Sequence, residues 1–176
     1  MSNFLIDPYS IVPPVVIECK QLEYDNYVNL KTDGDYGVAT QLCDSLLGEN
    51  ITSVGIQFRS EGSATSGTIS CCRWANTTAL DQANAADLLS AANHTFWTAD
   101  VTAVGDTWYT PASQSASDAT LANDLIGVVM TGSGSTDKYV GREDTNPTPS
   151  KKTYKMRANT ADEETFALSY NIQSVG

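Results

Sequence analysis

The side chains able to do chemistry in this 176-residue chain are few and scattered. His94 is its one imidazole, and no serine or acid stands at a spacing that would serve it. A nucleophile, base and orienting acid would have to be assembled by folding alone, so His94 reads as a surface histidine. Asp33-Gly34-Asp35, with Asp25 close by, offers the hard oxygen ligands that calcium takes, which makes Asp33 and Asp35 the candidate metal ligands. The same three residues make a good tight turn. Trp74, Trp97 and Trp108 could present flat faces to sugar rings, with Asn and Asp supplying hydrogen bonds, or could pack into a core. No two carboxylates stand out as a glycosidase pair, because Asp100, Asp106 and Asp124 fall where strands should turn. Gly132 and Gly134 lack the lysine and helix that complete a phosphate loop. The sequence therefore nominates no catalytic residue and no enzyme.

Four cysteines, Cys19, Cys43, Cys71 and Cys72, allow three pairings and match no zinc spacing. Cys71 and Cys72 are neighbours in an expected strand, so their side chains should face opposite ways. Buried free thiols are the expectation for all four. The three Asn-x-Ser/Thr triplets at Asn50, Asn76 and Asn93 are about the number that chance supplies.

A net charge of −11 would repel nucleic acid and anionic lipid alike, so neither is an expected partner. The charge is uneven: residues 1–137 carry 16 acids against 4 bases, and residues 138–176 carry 5 against 6. A basic end on an acidic body could steer head-to-tail contact between copies, or could be the solvated face of a late hairpin. No run approaches the ~20 apolar residues of a membrane-spanning helix, so no membrane insertion is expected. The start has no basic region and too short an apolar run for a signal peptide, which implies synthesis in the cytoplasm.

The elements that must position these groups are short strands. Residues 1–16 read as an extended arm: Pro8, Pro13 and Pro14 forbid regular ladders, while Phe4, Leu5, Ile6, Tyr9 and Ile11 are too apolar for a free tail. Such an arm needs a groove, on its own domain or on a neighbouring subunit. Residues 17–176 follow as one domain. Strands are expected at 27–30, 36–43, 51–59, 68–74, 96–101, 107–109, 125–130, 138–142, 153–157 and 165–172. In the 51–59 strand Val54, Ile56 and Phe58 alternate with Ser53, Gly55 and Gln57, the mark of one wet face. Residues 79–92, with Asp81 as cap, are the only helix candidate, and 111–122 reads as a long surface loop. Eight to ten strands at roughly ten-residue spacing define an all-β fold, an antiparallel β-sandwich or jelly roll.

The order of these segments resembles a jelly-roll domain of tailed-phage structural and tail-fibre proteins, which also occurs in some bacterial surface proteins. The resemblance rests on Ile51 to Phe58 followed by Gly62-Ser63 and Gly67-Thr68-Ile69, then Leu125 to Gly132. Lys138-Tyr139-Val140-Gly141-Arg142, with Pro147 after it, and the closing Glu164 to Tyr170 complete it. It departs from the pattern at Ala64, where a turn proline is usual, and in the 111–122 loop. The opening Phe4-Leu5-Ile6-Asp7-Pro8-Tyr9 also looks like the apolar arms of phage virion proteins. The resemblance implies a virion subunit, for head decoration or for a fibre or adaptor. It would dock on major capsid or tail proteins through the arm, commonly as a homotrimer. A glycan-binding or adhesin module of a microbial surface is the alternative, with surface glycans as partners.

Overall fold

Period-two burial sets the architecture. The computed structural model describes residues 15–22, 25–31, 34–59, 68–100, 107–131, 138–146 and 151–175. Their strands are β1 (Val16–Gln21), β2 (Asn26–Leu30), β3 (Gly37–Gln41) and β4 (Ile51–Arg59). Then come β5 (Thr68–Trp74), β6 (His94–Asp100), β7 (Thr107–Tyr109), β8 (Leu125–Met130) and β9 (Lys138–Glu143). The chain closes with β10 (Thr153–Arg157), β11 (Thr160–Glu164), β12 (Ala167–Leu168) and β13 (Tyr170–Val175).

The eight strands β2 to β9 form two facing antiparallel sheets. In one, β2 pairs with β9, the end of β4 pairs with β9, and β7 pairs with β4. In the other the order is β3-β8-β5-β6. Each connection from β2 to β9 crosses between the sheets except β5 to β6. That path is the jelly roll, and the expected β-sandwich is the observed fold.

Additions extend both sheets. The β10–β11 hairpin lengthens the second sheet beyond β3, turning through Asn159 at a φ of 56°. In the first sheet β12 lies on β9 and β13 on β4, with β1 outside β13. Phe166, Leu168, Tyr170 and Ile172 keep the alternation read from the sequence and are all buried. The strand nevertheless breaks at Ser169, where it leaves β9 for β4. The expected wet face of β4 is largely covered: Gln57 is buried beside Gly141 of β9 and Gly55 beside Thr110, which follows β7.

The sandwich core contains Val54, Ile56, Phe58, Ile69, Cys71, Trp97, Val128 and Ile172. A second apolar layer lies on the outer face of the β3-β8-β5 sheet, with Ala39, Cys72, Trp74, Leu125 and Val129. All six residues of β8 are buried, because both faces of this sheet are covered. The cover is the chain between β5 and β6, a 3₁₀ turn at Thr77–Leu80 and a short helix, α1 (Ala85–Ser90). Six residues cannot hold a helix alone. Leu88 anchors this one against the sheet, where Gly37 leaves room for its methyl group, and full burial of such a side chain stabilises by about 2 kcal/mol. The helix is shorter than the 79–92 expectation and its cap is different. Asn84 accepts from the Asp87 amide at 3.0 Å, while Asp81 accepts from Ala161 of β11.

Candidate functional site

The groups that looked able to do chemistry are occupied by the fold. His94 Nε2–H donates to the Ser115 carbonyl at 2.9 Å, and the ring meets Phe96 edge to face. Arg73 donates to the Asp118 carbonyl at 2.7 Å and lies 3.7 Å from Asp124, both side chains being nearly inaccessible. Asp124 in turn accepts from the Leu121 amide. With Gln114 bonded to Val54 and the Ser117 amide to Ile51, these groups tie the irregular 111–124 segment across one mouth of the sandwich.

Of the three tryptophans that could form a sugar platform or pack into a core, two are core residues. Trp74 is fully buried and its indole donates to the Leu88 carbonyl at 2.9 Å. Trp97 donates to the Val54 carbonyl at 3.0 Å and packs edge to face with Tyr109. A ring enclosed on both faces has no surface for a sugar. Only Trp108, 38% exposed on β7, keeps one. Of the calcium candidates, Asp33 lies outside the described residues, and Asp35 is engaged by Lys155 at 3.3 Å. Among the described residues no cluster of three His, Cys, Asp or Glu could hold a metal, and no helix is long and apolar enough to cross a membrane.

Four of the six basic residues of 138–176 lie at the late hairpin and have acids beside them, while Lys138 and Arg142 belong to β9. Lys151 meets Asp44, Lys152 meets Glu163, Lys155 meets Asp35 and Glu164, and Arg157 meets Asp162. Burial pulls the Lys155 pKa down, but its bonds to Glu164 and Asp35 outweigh that and leave it above the ordinary value. Beside this hairpin opens a polar cleft of about 380 Å³ lined by Gln41, Asn76, Thr77, Asn123, Lys152 and Tyr154.

The cysteines differ from the expectation of four free thiols. Cys19 and Cys43 form a disulfide with their Cα atoms 6.0 Å apart, because β1, a strand beyond those expected, brings Cys19 to the residue that follows β3 by two. The Tyr170 hydroxyl sits 3.4 Å from Cys19 Sγ and 3.6 Å from Cys43 Sγ. A cross-link over 24 residues contributes about 3.5 kcal/mol by restricting the unfolded chain. Reduction is expected to lower the urea midpoint accordingly, and a midpoint unmoved by dithiothreitol would contradict the bridge.

Cys71 and Cys72 are free and buried, and they face opposite layers as their adjacency requires. Burial pushes the Cys72 thiol up to about 11, against the opposing hydrogen bond from Thr95, and burial raises Cys71 as well. The folded thiols keep protons that an unfolded chain releases near pH 9. The Cys72 contribution is therefore intact below about pH 9 and is lost as pH rises through about 11, and that of Cys71 is lost in the same direction. A chromogenic disulfide reagent at pH 8 is expected to label neither cysteine until denaturant is added; rapid labelling of the folded protein would contradict this burial.

Among the described residues, four of the seven exposed large apolar side chains gather on the rim that carries β1. Among the described strands β1 pairs with β13 alone, in the register Val16 opposite Val175 and Gln21 opposite Tyr170. Ile17, Cys19 and Gln21 turn inward, while Val16, Glu18 and Lys20 turn out. Large apolar side chains are exposed here: Val15 at 65%, Val16 at 51%, Leu22 at 46% and Val175 at 45%. Glu18 accepts from Lys20 at 3.0 Å and from Gln173 at 2.7 Å, and these bonds hold its carboxyl below the usual range. The proposed docking residues Phe4, Leu5, Ile6, Tyr9 and Ile11 lie outside the described residues; the chain joins them to this rim at Val15.

Fold and surface together define an antiparallel β-sandwich of jelly-roll topology whose β1 rim exposes apolar side chains. Comparison with family models, with curated proteins and with solved structures gives no match to this chain.

Proposed function

We propose that this chain is a structural subunit of a tailed-phage virion. It would be a jelly-roll building block of head decoration, fibre or adaptor that joins neighbouring subunits through its N-terminal arm. The observation that carries the reading is where the arm attaches. Val15, to which residues 1–14 are joined, is 65% exposed on a rim lined with apolar side chains, where β1 pairs with β13 alone among the described strands, and a rim of that kind suits contact with a neighbour. The arm is rich in large apolar side chains and is interrupted by prolines. Such a segment gains by being buried along a partner's groove and cannot add a full regular strand of its own. The jelly roll supplies a rigid body, and its ionic groups near the 111–124 segment and the β10–β11 hairpin are used to hold that body together. The resemblance of residues 51–172 to phage structural domains supports the same reading, which would make the virion the place of work.

The experiment is the light-scattering mass of the full chain beside that of a chain lacking residues 1–14. We expect an oligomer, a trimer on the phage analogy, whose mass falls when the arm is removed. Equal mass with and without the arm would overturn the reading.

A second reading, a glycan-binding module, is favoured by the cleft at Gln41, Asn76, Thr77, Asn123, Lys152 and Tyr154. Amides and hydroxyls supply the hydrogen bonds that sugars require of a site, while the Tyr154 ring is itself buried in the outer layer. Titration with neutral oligosaccharides, comparing the native chain with Asn123→Ala, distinguishes it.

A further inference from the structure

The outward face of β1 reads the same way in both directions once chemistry replaces residue names. Its exposed side chains are Val16, Glu18 and Lys20, and Leu22, just past its end, is exposed as well: apolar, acidic, basic, apolar. Two copies of such a strand brought together antiparallel about a two-fold axis through Cys19 place Glu18 of each opposite Lys20 of the other. The same register sets Val16 opposite Leu22, and Val175, beside Val16 on the neighbouring strand, extends the apolar contact. Inward-facing residues meet inward-facing residues, Ile17 opposite Gln21, so both sheets keep their buried faces.

The neighbouring registers are worse. Sliding by two residues puts Glu18 against Glu18 in one direction or Lys20 against Lys20 in the other, and like charges directly opposite destabilise a ladder. Sliding by one residue turns every side chain to the wrong face. An edge protected against association commonly carries charges that would meet their own kind or a strand too short to pair. This edge carries opposite charges in the order that a two-fold axis satisfies.

We propose that β1 is an isologous docking edge for a second copy of this chain, joining two jelly rolls through a continuous antiparallel sheet centred on Cys19. The disulfide to Cys43 keeps the sulfur at the axis engaged within its own chain. The contact is small, on the low side of about 1,200 Å² in total, so it forms and dissociates with concentration. It is independent of the N-terminal arm: arm and edge can fail separately, and a particle can use both.

The test is sedimentation velocity of the full chain over a dilution series up to the millimolar range. The variants are Glu18→Lys, Lys20→Glu and the exchange E18K/K20E. Both side chains are substantially exposed, and circular dichroism checks that each variant folds. Each single reversal turns two attractive cross-strand pairs into two repulsive ones and is expected to weaken the two-fold contact about tenfold or more. The exchange variant restores both pairs and should associate like the native chain. An equimolar mixture of the two single variants should form a heterodimer that neither forms alone. The proposal is overturned if the native chain shows no two-fold association at any concentration. It is equally overturned if single reversals sediment like the native chain, or if folded exchange and mixed samples stay as dissociated as the singles. Loss of mass on removing residues 1–14, with these charge effects absent, would leave the arm reading standing and this one refuted.

Discussion

Replacing Gly127 by valine is expected to lower stability by about 4 kcal/mol, enough to leave a marginal domain largely unfolded. Gly127 lies in the middle of β8, hydrogen-bonded between β3 and β5. A Cβ built there would come 2.0 Å from the Val38 carbonyl oxygen and 2.5 Å from the Ala39 Cα. Those atoms are backbone of a paired strand and cannot retreat without opening a ladder. Gly48 provides the contrast. Its φ of +81° favours glycine, but nothing lies within 4 Å of the added carbon, so alanine there should cost about 1 kcal/mol. Urea unfolding of both variants checks the pair, and equal costs would show that the crowding at Gly127 is not real.

Trp74→Ala is expected to cost about 4 kcal/mol as well, by a different route. Trp74 is the largest fully buried side chain of the outer layer, and its indole satisfies the Leu88 carbonyl at the end of α1. Its loss leaves a cavity under the 75–92 cover and frees that carbonyl. The expected signature is binding of a hydrophobic dye at denaturant concentrations where the native protein still excludes it, because the cover loosens before the sandwich does. Trp74→Phe should recover most of the packing and lose the hydrogen bond, costing about 1 kcal/mol. A cost for alanine no greater than that for phenylalanine would contradict the second layer.

Much of the fold was legible because one principle governs it. Val54, Ile56 and Phe58 in β4 and Phe166 to Ile172 at the end of the chain alternate with period two, and the continuous apolar run of β8 fits the strand that the structure covers on both faces. The strands that escaped reading lack this pattern. In β1 only Ile17 and Cys19 mark the inward face before Gln21, and the prolines just before it suggested an arm running on to residue 16. In β11 the residues are Thr-Ala-Asp-Glu-Glu, held by pairing to β10 and by ion pairs from Lys152, Lys155 and Arg157, which a single strand cannot reveal. Asn159, at the left-handed turn position before it, was the available signal. The disulfide was illegible for the same reason: without β1, nothing brings Cys19 to Cys43.

The candidate site was less legible, because exposure is decided by layers. Trp74 and Trp97 have the composition of a sugar platform, and only the cover over one sheet face and the facing sheet put them inside. The self-complementary order of Val16, Glu18, Lys20 and Leu22 was visible as letters, but its meaning depends on β1 lying at an edge with those residues turned outward.

The central claim is that residues 1–14 dock on a neighbouring subunit. Hydrogen–deuterium exchange of the full chain, followed over residues 1–14 as the protein is diluted, tests it most directly. The account predicts slow exchange in the arm at assembling concentrations, giving way to free-peptide rates on dilution while β8 stays protected. Free-peptide exchange at every concentration, or protection that dilution leaves untouched, would contradict it.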